Sequence, residues 1–282
     1  MKSLIALPDD PAYMDWYVAI RTAKRRPTRE VLAAAHELVA ARYAEYSAAM
    51  RDGSLASLER DAAALMVSEQ LRSCYKGPTK PLAKLKRAIA DAQPKRRLKY
   101  CPMCGTGLPR TFDHYLPGVR FPEFSVHPLN LVPCCAECNS MKDDDWLSPE
   151  GRLQYLHAYS GVFPDQQFLK VTLHEDRSLP GVGATFHLLQ PDGLSDDGWD
   201  LIEAHFGRLK LLDRYAEFSN VEVTEILVNC KAFLDAGGQD CAMFLAQVAA
   251  DNREVYGVNH WIAVLMSAMA EHENLPVWAN GE

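Results

Sequence analysis

Two close pairs of cysteines constrain this chain more than any other feature: Cys101 and Cys104 in "CPMC", and Cys135 and Cys138 in "CAEC". Paired C-x-x-C motifs are the pattern of a tetrahedral structural zinc, because four thiolates complete the coordination shell of that ion. Disulfides compete for the same sulfurs. The N-terminal "LIAL", however, is far too short for the apolar region of a signal peptide, so an oxidising compartment is not expected. Cys74, Cys230 and Cys241 lie in apolar helical stretches and read as ordinary buried thiols, and Cys134 reads as a small apolar filler beside the second pair.

With 282 residues, 48% of them hydrophobic, the chain has enough apolar surface for a real core and two or three subdomains. Its best apolar run, "WIAVLMSAMA", stops at ten residues, about half of the roughly 20 that a membrane span needs. A soluble cytoplasmic protein with no membrane partner is expected. The net charge of −7 argues against a nucleic-acid partner, but it hides a division: residues 1–120 hold 21 Lys and Arg against 12 Asp and Glu, and residues 121–282 hold 9 against 25. Nine of the basic residues fall within 76–99, where Asp91 is the single acid. Such a run is the electrostatic footprint of a phosphate-backbone partner. The plainer reading is a solvated helix and linker; the neighbouring zinc motif tips the balance towards nucleic acid. Lys95, Arg96, Arg97 and Lys99 are the candidate phosphate contacts.

Apolar spacing predicts helices in "PAYMDWYVAIRTAKRR", "TREVLAAAHELVAARYAEYSAAM" and "SLASLERDAAALMVSEQLRSCY", with Thr28 and Ser54 where N-caps belong. A short basic helix follows, running to about Gln93. Residues 99–148 are mixed, with one helix starting near Cys135. Strand-like alternation in "QFLKVTLHED" and "GATFHLLQ" predicts a two-stranded element, and from Ser195 the pattern is helical again. The expected fold class is α+β, mostly helical around a small central metal module. Its expected segments are 1–94 (helical, basic at its end), 95–148 (metal module) and 149–282 (a two-stranded element and acidic helices).

Thirty residues separate Cys104 from Cys135, more than the roughly 12 to 20 of a plain zinc ribbon. The insert carries "FDHYLP" and "NL", and the second pair runs directly into "NSMK". In the order C-x-x-C, D-H-x-x-P, N-L-x-x-x-C-x-x-C-N-x-x-K, residues 101–142 resemble the HNH endonucleases, the zinc-knuckle branch of the ββα-metal or His-Me finger nucleases. The resemblance implies a hairpin packed on a helix, with zinc holding the ends of the module together and a catalytic metal in the cleft. It implies that His114 is the general base and Asp113 a ligand of the divalent metal. It further implies that Asn130 orients the catalytic loop, Asn139 is the second metal ligand, and Lys142 lies near the phosphate.

The residue types suit that chemistry. Phosphodiester hydrolysis needs an activated water, counter-charge for the transition state and help for the departing 3′ oxygen. A neutral imidazole takes a proton near cellular pH, and a carboxylate with an amide oxygen suits Mg²⁺ or Mn²⁺. Soft thiolates keep zinc apart from that site. Each residue also has a plainer reading: His114 as a core histidine, Asp113 and Asn130 as turn residues, Asn139 as a cap and Lys142 as a solvated lysine. The acidic "DDDW" after Lys142 would repel a phosphate. The expected function is metal-dependent cleavage of DNA, with RNA not excluded. Stand-alone proteins of this kind resemble effectors of anti-phage or mobile-element systems, often beside an ATPase or sensor subunit. The alternative is a non-catalytic zinc module that binds nucleic acid or protein.

Overall fold

Helical periodicity in the first ninety residues does produce helices, though shorter and more broken than the pattern implies. The structure, a computed structural model, describes residues 2–8, 13–160, 165–175 and 182–280. Helix α1 spans Tyr13–Thr22, α2 Thr28–Ala34, α3 His36–Asp52, α4 Ala62–Met66, α5 Ser68–Lys76 and α6 Lys80–Asp91. Asp61 and Thr79 cap α4 and α6 by accepting from the Ala64 and Leu82 amides. The caps expected from sequence are not used: Thr28 lies inside α2, behind Pro27, and Ser54 makes no capping bond. Gly53 ends α3 in the left-handed conformation at φ 70°, its N–H donating to the Ala49 carbonyl.

Strand β1, Thr111–His114, pairs antiparallel with β2, Leu131–Cys134, so that Asp113 faces Val132 and His114 faces Leu131. Helix α7, Ala136–Lys142, follows at once and packs on β1. A second antiparallel hairpin joins β3, Leu169–Glu175, to β4, Val182–Leu188; residues 176–181 between them lie outside the described residues. Helices α8 Asp196–Arg208, α9 Leu211–Asp235, α10 Cys241–Tyr256, α11 Trp261–Ala270 and α12 Leu275–Asn280 complete an α+β chain. Among the described residues no helix is long and apolar enough to cross a membrane.

The chain divides into two compact units, one of residues 3–162 and one of residues 163–282 with the first two residues. The boundaries expected near 94 and 148 do not coincide with this division, and the reason is packing. Every residue from 121 to 135 is buried. This stretch sits on α3: Phe124 meets the Tyr46 ring at 4.9 Å, His127 meets Tyr43 at 4.3 Å, and Arg42 donates to the buried Glu123 carboxylate at 2.9 Å. The helices and the ββα element therefore share one core. In the other unit, β4 packs on α9 and β3 on α11. There Trp261 stacks on Tyr215 at 5.6 Å, and the Asn259 side chain accepts from the Phe168 and Leu169 amides.

Two histidines of the first unit, His127 and His157, are buried and accept backbone N–H bonds at Nδ1, from Leu129 and Tyr159. Burial pushes both imidazoles down to about 3. Unfolded histidine titrates near 6.5, so unfolding takes up a proton at each between these values, and stability falls as pH drops through that window. Each contributes a slope of up to about 1.4 kcal/mol per pH unit. Urea unfolding at pH 7, 6 and 5 should show a smaller acid loss for His127→Leu than for the unaltered chain. Equal losses would contradict a neutral, buried His127.

Candidate metal centre and the adjoining ββα unit

The four cysteine sulfurs of the two pairs converge. Cys101, Cys104, Cys135 and Cys138 are all buried, and their sulfurs lie within 4.8 Å of one another. The Cys104 and Cys135 sulfurs are 3.8 Å apart. A tetrahedron of metal–sulfur bonds of about 2.3 Å has edges of about 3.8 Å. Local backbone makes this approach feasible. Gly105 turns at φ 70° and donates to the Cys101 carbonyl, and a β-carbon on Gly107 would stand 2.9 Å from that of Cys135. Backbone N–H groups of Cys135 and Cys138 donate to the sulfurs of Cys101 and Cys135 at 3.3 and 3.4 Å, which favours thiolates. Hydrogen bonding among the crowded sulfurs, led by that with Cys101, lowers Cys135 to about 7 and Cys104 further, while Cys138 is pushed up. The site can hold a metal ion. Cys134 stands outside it: its sulfur lies 3.4 Å from the Thr111 hydroxyl, and burial raises its thiol to about 12.

Beside this cluster the hairpin and α7 bring together the residues singled out in the insert. Half-buried His114 sets Nε2 2.9 Å from the Ser125 carbonyl oxygen. A carbonyl only accepts, so Nε2 carries the hydrogen and Nδ1 keeps its lone pair. Burial lowers the histidine's pKa, keeping the ring neutral at pH 7. Asp113, 5% exposed, pairs through Oδ2 with the Lys142 ammonium at 3.0 Å. Asn130 is fully buried. Its Oδ1 accepts from the Leu116 amide at 2.7 Å and the Tyr46 hydroxyl at 3.3 Å, and its Nδ2 donates to the Leu116 and Phe124 carbonyls. It thus holds both ends of the loop that carries Ser125. Asn139 is half-buried on α7.

Two expectations need correction. Lys142 does not face a phosphate: its side chain is inaccessible to solvent, donating to the His114 carbonyl at 2.9 Å as well as to Asp113. Arg97 is 8% exposed and turned towards the Ser3 carbonyl, whereas Lys95, Arg96 and Lys99 remain exposed. The acidic Asp143 and Asp144 are exposed just beyond α7.

Sequence reading missed the residues that approach this unit from elsewhere. Tyr46 accepts from His157 Nε2 at 3.0 Å, since Nδ1 of that ring is already an acceptor, and so passes its own hydroxyl proton towards Asn130. Tyr75 meets His114 edge-on at 4.4 Å. Nothing in local spacing marks either tyrosine; only the helical register that buries Tyr46 and half-buries Tyr75 hints at a packed role.

The chain is similar to protein Ea31 of Escherichia phage lambda, with 28% identity over 137 residues, covering 48% of this chain. The match spans 45% of that protein, so the chain aligns with less than half of its relative's length. No family model matches, and no solved structure matches.

The cluster predicts one tightly bound metal ion per chain by elemental analysis, lost in Cys138→Ser together with a cooperative unfolding transition. A metal-free but equally stable chain would contradict it. Asn130→Ala strands three buried backbone groups and should lower stability by at least about 2 kcal/mol in denaturant titration; a shift below about 0.5 kcal/mol would remove its loop-holding role.

Proposed function

We propose that this chain is a metal-dependent endonuclease of the HNH kind that hydrolyses DNA phosphodiesters, with zinc in the four-cysteine site. One observation carries the reading: His114 has Nε2 fixed on the Ser125 carbonyl and Nδ1 left as the acceptor, and it follows Asp113 directly on β1. A staple for the fold needs no such arrangement; a general base does. Zinc is supported by an all-thiolate donor set with tetrahedral spacing.

The donors for a second, hard cation also fit. Lys142 engages Oδ2 of Asp113, leaving Oδ1, and Asn139 offers an amide oxygen. One carboxylate, one amide and several waters are what Mg²⁺ or Mn²⁺ accepts. When bound, such an ion supplies counter-charge to the phosphate and to the departing oxygen. The chain's own groups do the rest. His114 Nδ1 takes a proton from the attacking water, Ser125 holds the ring at the correct tautomer, and Asn130 keeps Ser125 in place. The water oxygen bonds to phosphorus as the bond to the 3′ oxygen breaks; that oxygen leaves with the electron pair and takes a proton from solvent, so the ends are a 5′-phosphate and a 3′-hydroxyl. The exposed Lys95, Arg96 and Lys99, with Lys80, Lys84 and Arg87 of α6, would supply sequence-independent attraction to the backbone.

A reducing cytoplasmic setting is supported by eight unbridged cysteines, and a mobile-element setting by the phage origin of the similar protein. An ATPase or sensor partner rests on resemblance to HNH effectors alone. The second reading, a non-catalytic zinc module, is favoured by one feature: Asp113 is already neutralised by Lys142 without any cation. Supercoiled plasmid with Mg²⁺ or Mn²⁺ separates the two readings. The unaltered protein should nick it, and His114→Ala should lose about 100- to 10,000-fold in rate while keeping its metal content and melting temperature. Undiminished cleavage by His114→Ala would overturn the mechanism.

A further inference from the structure

The basic run does not end at the surface. Within α6, Lys80, Lys84 and Arg87 are exposed, but Lys86 turns inward and is half-buried. Its ammonium lies 4.0 Å from the centre of the Tyr75 ring and 5.4 Å from that of Phe112. Tyr75 is itself fixed, because its hydroxyl donates to the Phe112 carbonyl at 2.9 Å. The same ring meets the His114 imidazole at 4.4 Å and 73°. One tyrosine therefore touches both the proposed base and a cation brought in by a helix outside the ββα unit.

That cation has no carboxylate partner among the described residues. The nearby acid on β1, Asp113, is taken by Lys142. Aromatic faces attract an ammonium but replace only part of its hydration. Consistently, burial lowers the lysine's pKa. A partly desolvated, unpaired ammonium that shares the Tyr75 ring with the His114 imidazole is arranged to receive an anion.

Resting on the nuclease reading, we propose that Lys86 is the phosphate clamp of the site: its ammonium holds a non-bridging oxygen of the scissile phosphodiester beside His114, and Tyr75 aims both groups. Lys86 thus takes the role that sequence had given to Lys142. Negative charge on the non-bridging oxygens grows as water adds to phosphorus and the 3′ oxygen departs. The contact is strongest in the transition state, so its loss falls on kcat. The clamp reads phosphate and no base, so the substrate class is the nucleic-acid backbone irrespective of sequence.

The test compares the unaltered protein, Lys86→Met, Lys86→Arg and His114→Ala in plasmid cleavage with Mn²⁺. In parallel, fluorescence anisotropy follows binding of a short labelled duplex without added Mg²⁺ or Mn²⁺ over a series of salt concentrations. Lys86→Met should lower kcat about 100-fold with KM changed less than about 3-fold, and Lys86→Arg should restore most of the rate. Without added divalent cation, Lys86→Met should flatten the slope of log affinity against log salt by about 0.9, the value of one phosphate contact. Metal content and melting temperature should stay at their unaltered values. Normal kcat in Lys86→Met overturns the clamp. So does equal inactivity of the Met and Arg variants with a lowered melting temperature, which would make Lys86 a pin between α5 and α6. If the unaltered protein cleaves nothing, the nuclease reading fails, and the salt slope alone then decides whether Lys86 holds phosphate.

Discussion

A lysine ammonium with no access to water ties the last turn of α7 to β1. Lys142 reaches Asp113 at 3.0 Å and the His114 carbonyl at 2.9 Å. Leaving such a charge buried and unpaired would cost several kcal/mol, so helix and strand cannot slide independently. At seven residues α7 is too short to persist alone. It is held instead at both ends, by the Cys135 and Cys138 sulfurs at its start and by Lys142 at its finish. The position of Asp113 and His114, and with it any chemistry they perform, follows from those two attachments.

The ββα unit has too little apolar surface for a core of its own. It borrows one from α3, through the buried segment 121–135 and its contacts with Arg42, Tyr43 and Tyr46. A buried loop must satisfy its backbone internally. Asn130 does this for Leu116 and Phe124, and the Tyr159 hydroxyl serves the Leu131 carbonyl. The long spacer between the cysteine pairs is therefore the part of the chain through which helices and metal module become one body.

Features set by neighbours in sequence were legible beforehand: the cysteine pairs, the hairpin around β3 and β4, and the helix starting after Cys135. Features set by tertiary partners were not. Lys142 ends a polar helix and reads as solvated, because its burial depends on Asp113, twenty-nine positions earlier. Arg97 looked like its basic neighbours, yet it is 8% exposed and turned towards Ser3 near the N-terminus. The long helical patterns break at Ala35, where no proline or glycine announces it, and at Lys210, with φ 50°, three residues after Gly207. Tyr75 and Lys86 acquire meaning only when α5 and α6 are laid against β1.

Two chemically distinct metal positions, a soft one of sulfur and a hard one of oxygen, are central to the proposed chemistry. Anomalous diffraction from crystals grown with Mn²⁺, collected on either side of the zinc and manganese edges, tests them together. A zinc peak among the four cysteine sulfurs and a separate manganese peak at Asp113 are the expected result. Sulfurs bridged as disulfides, or an Asp113 that at saturating Mn²⁺ still holds Lys142 and no metal, would contradict it.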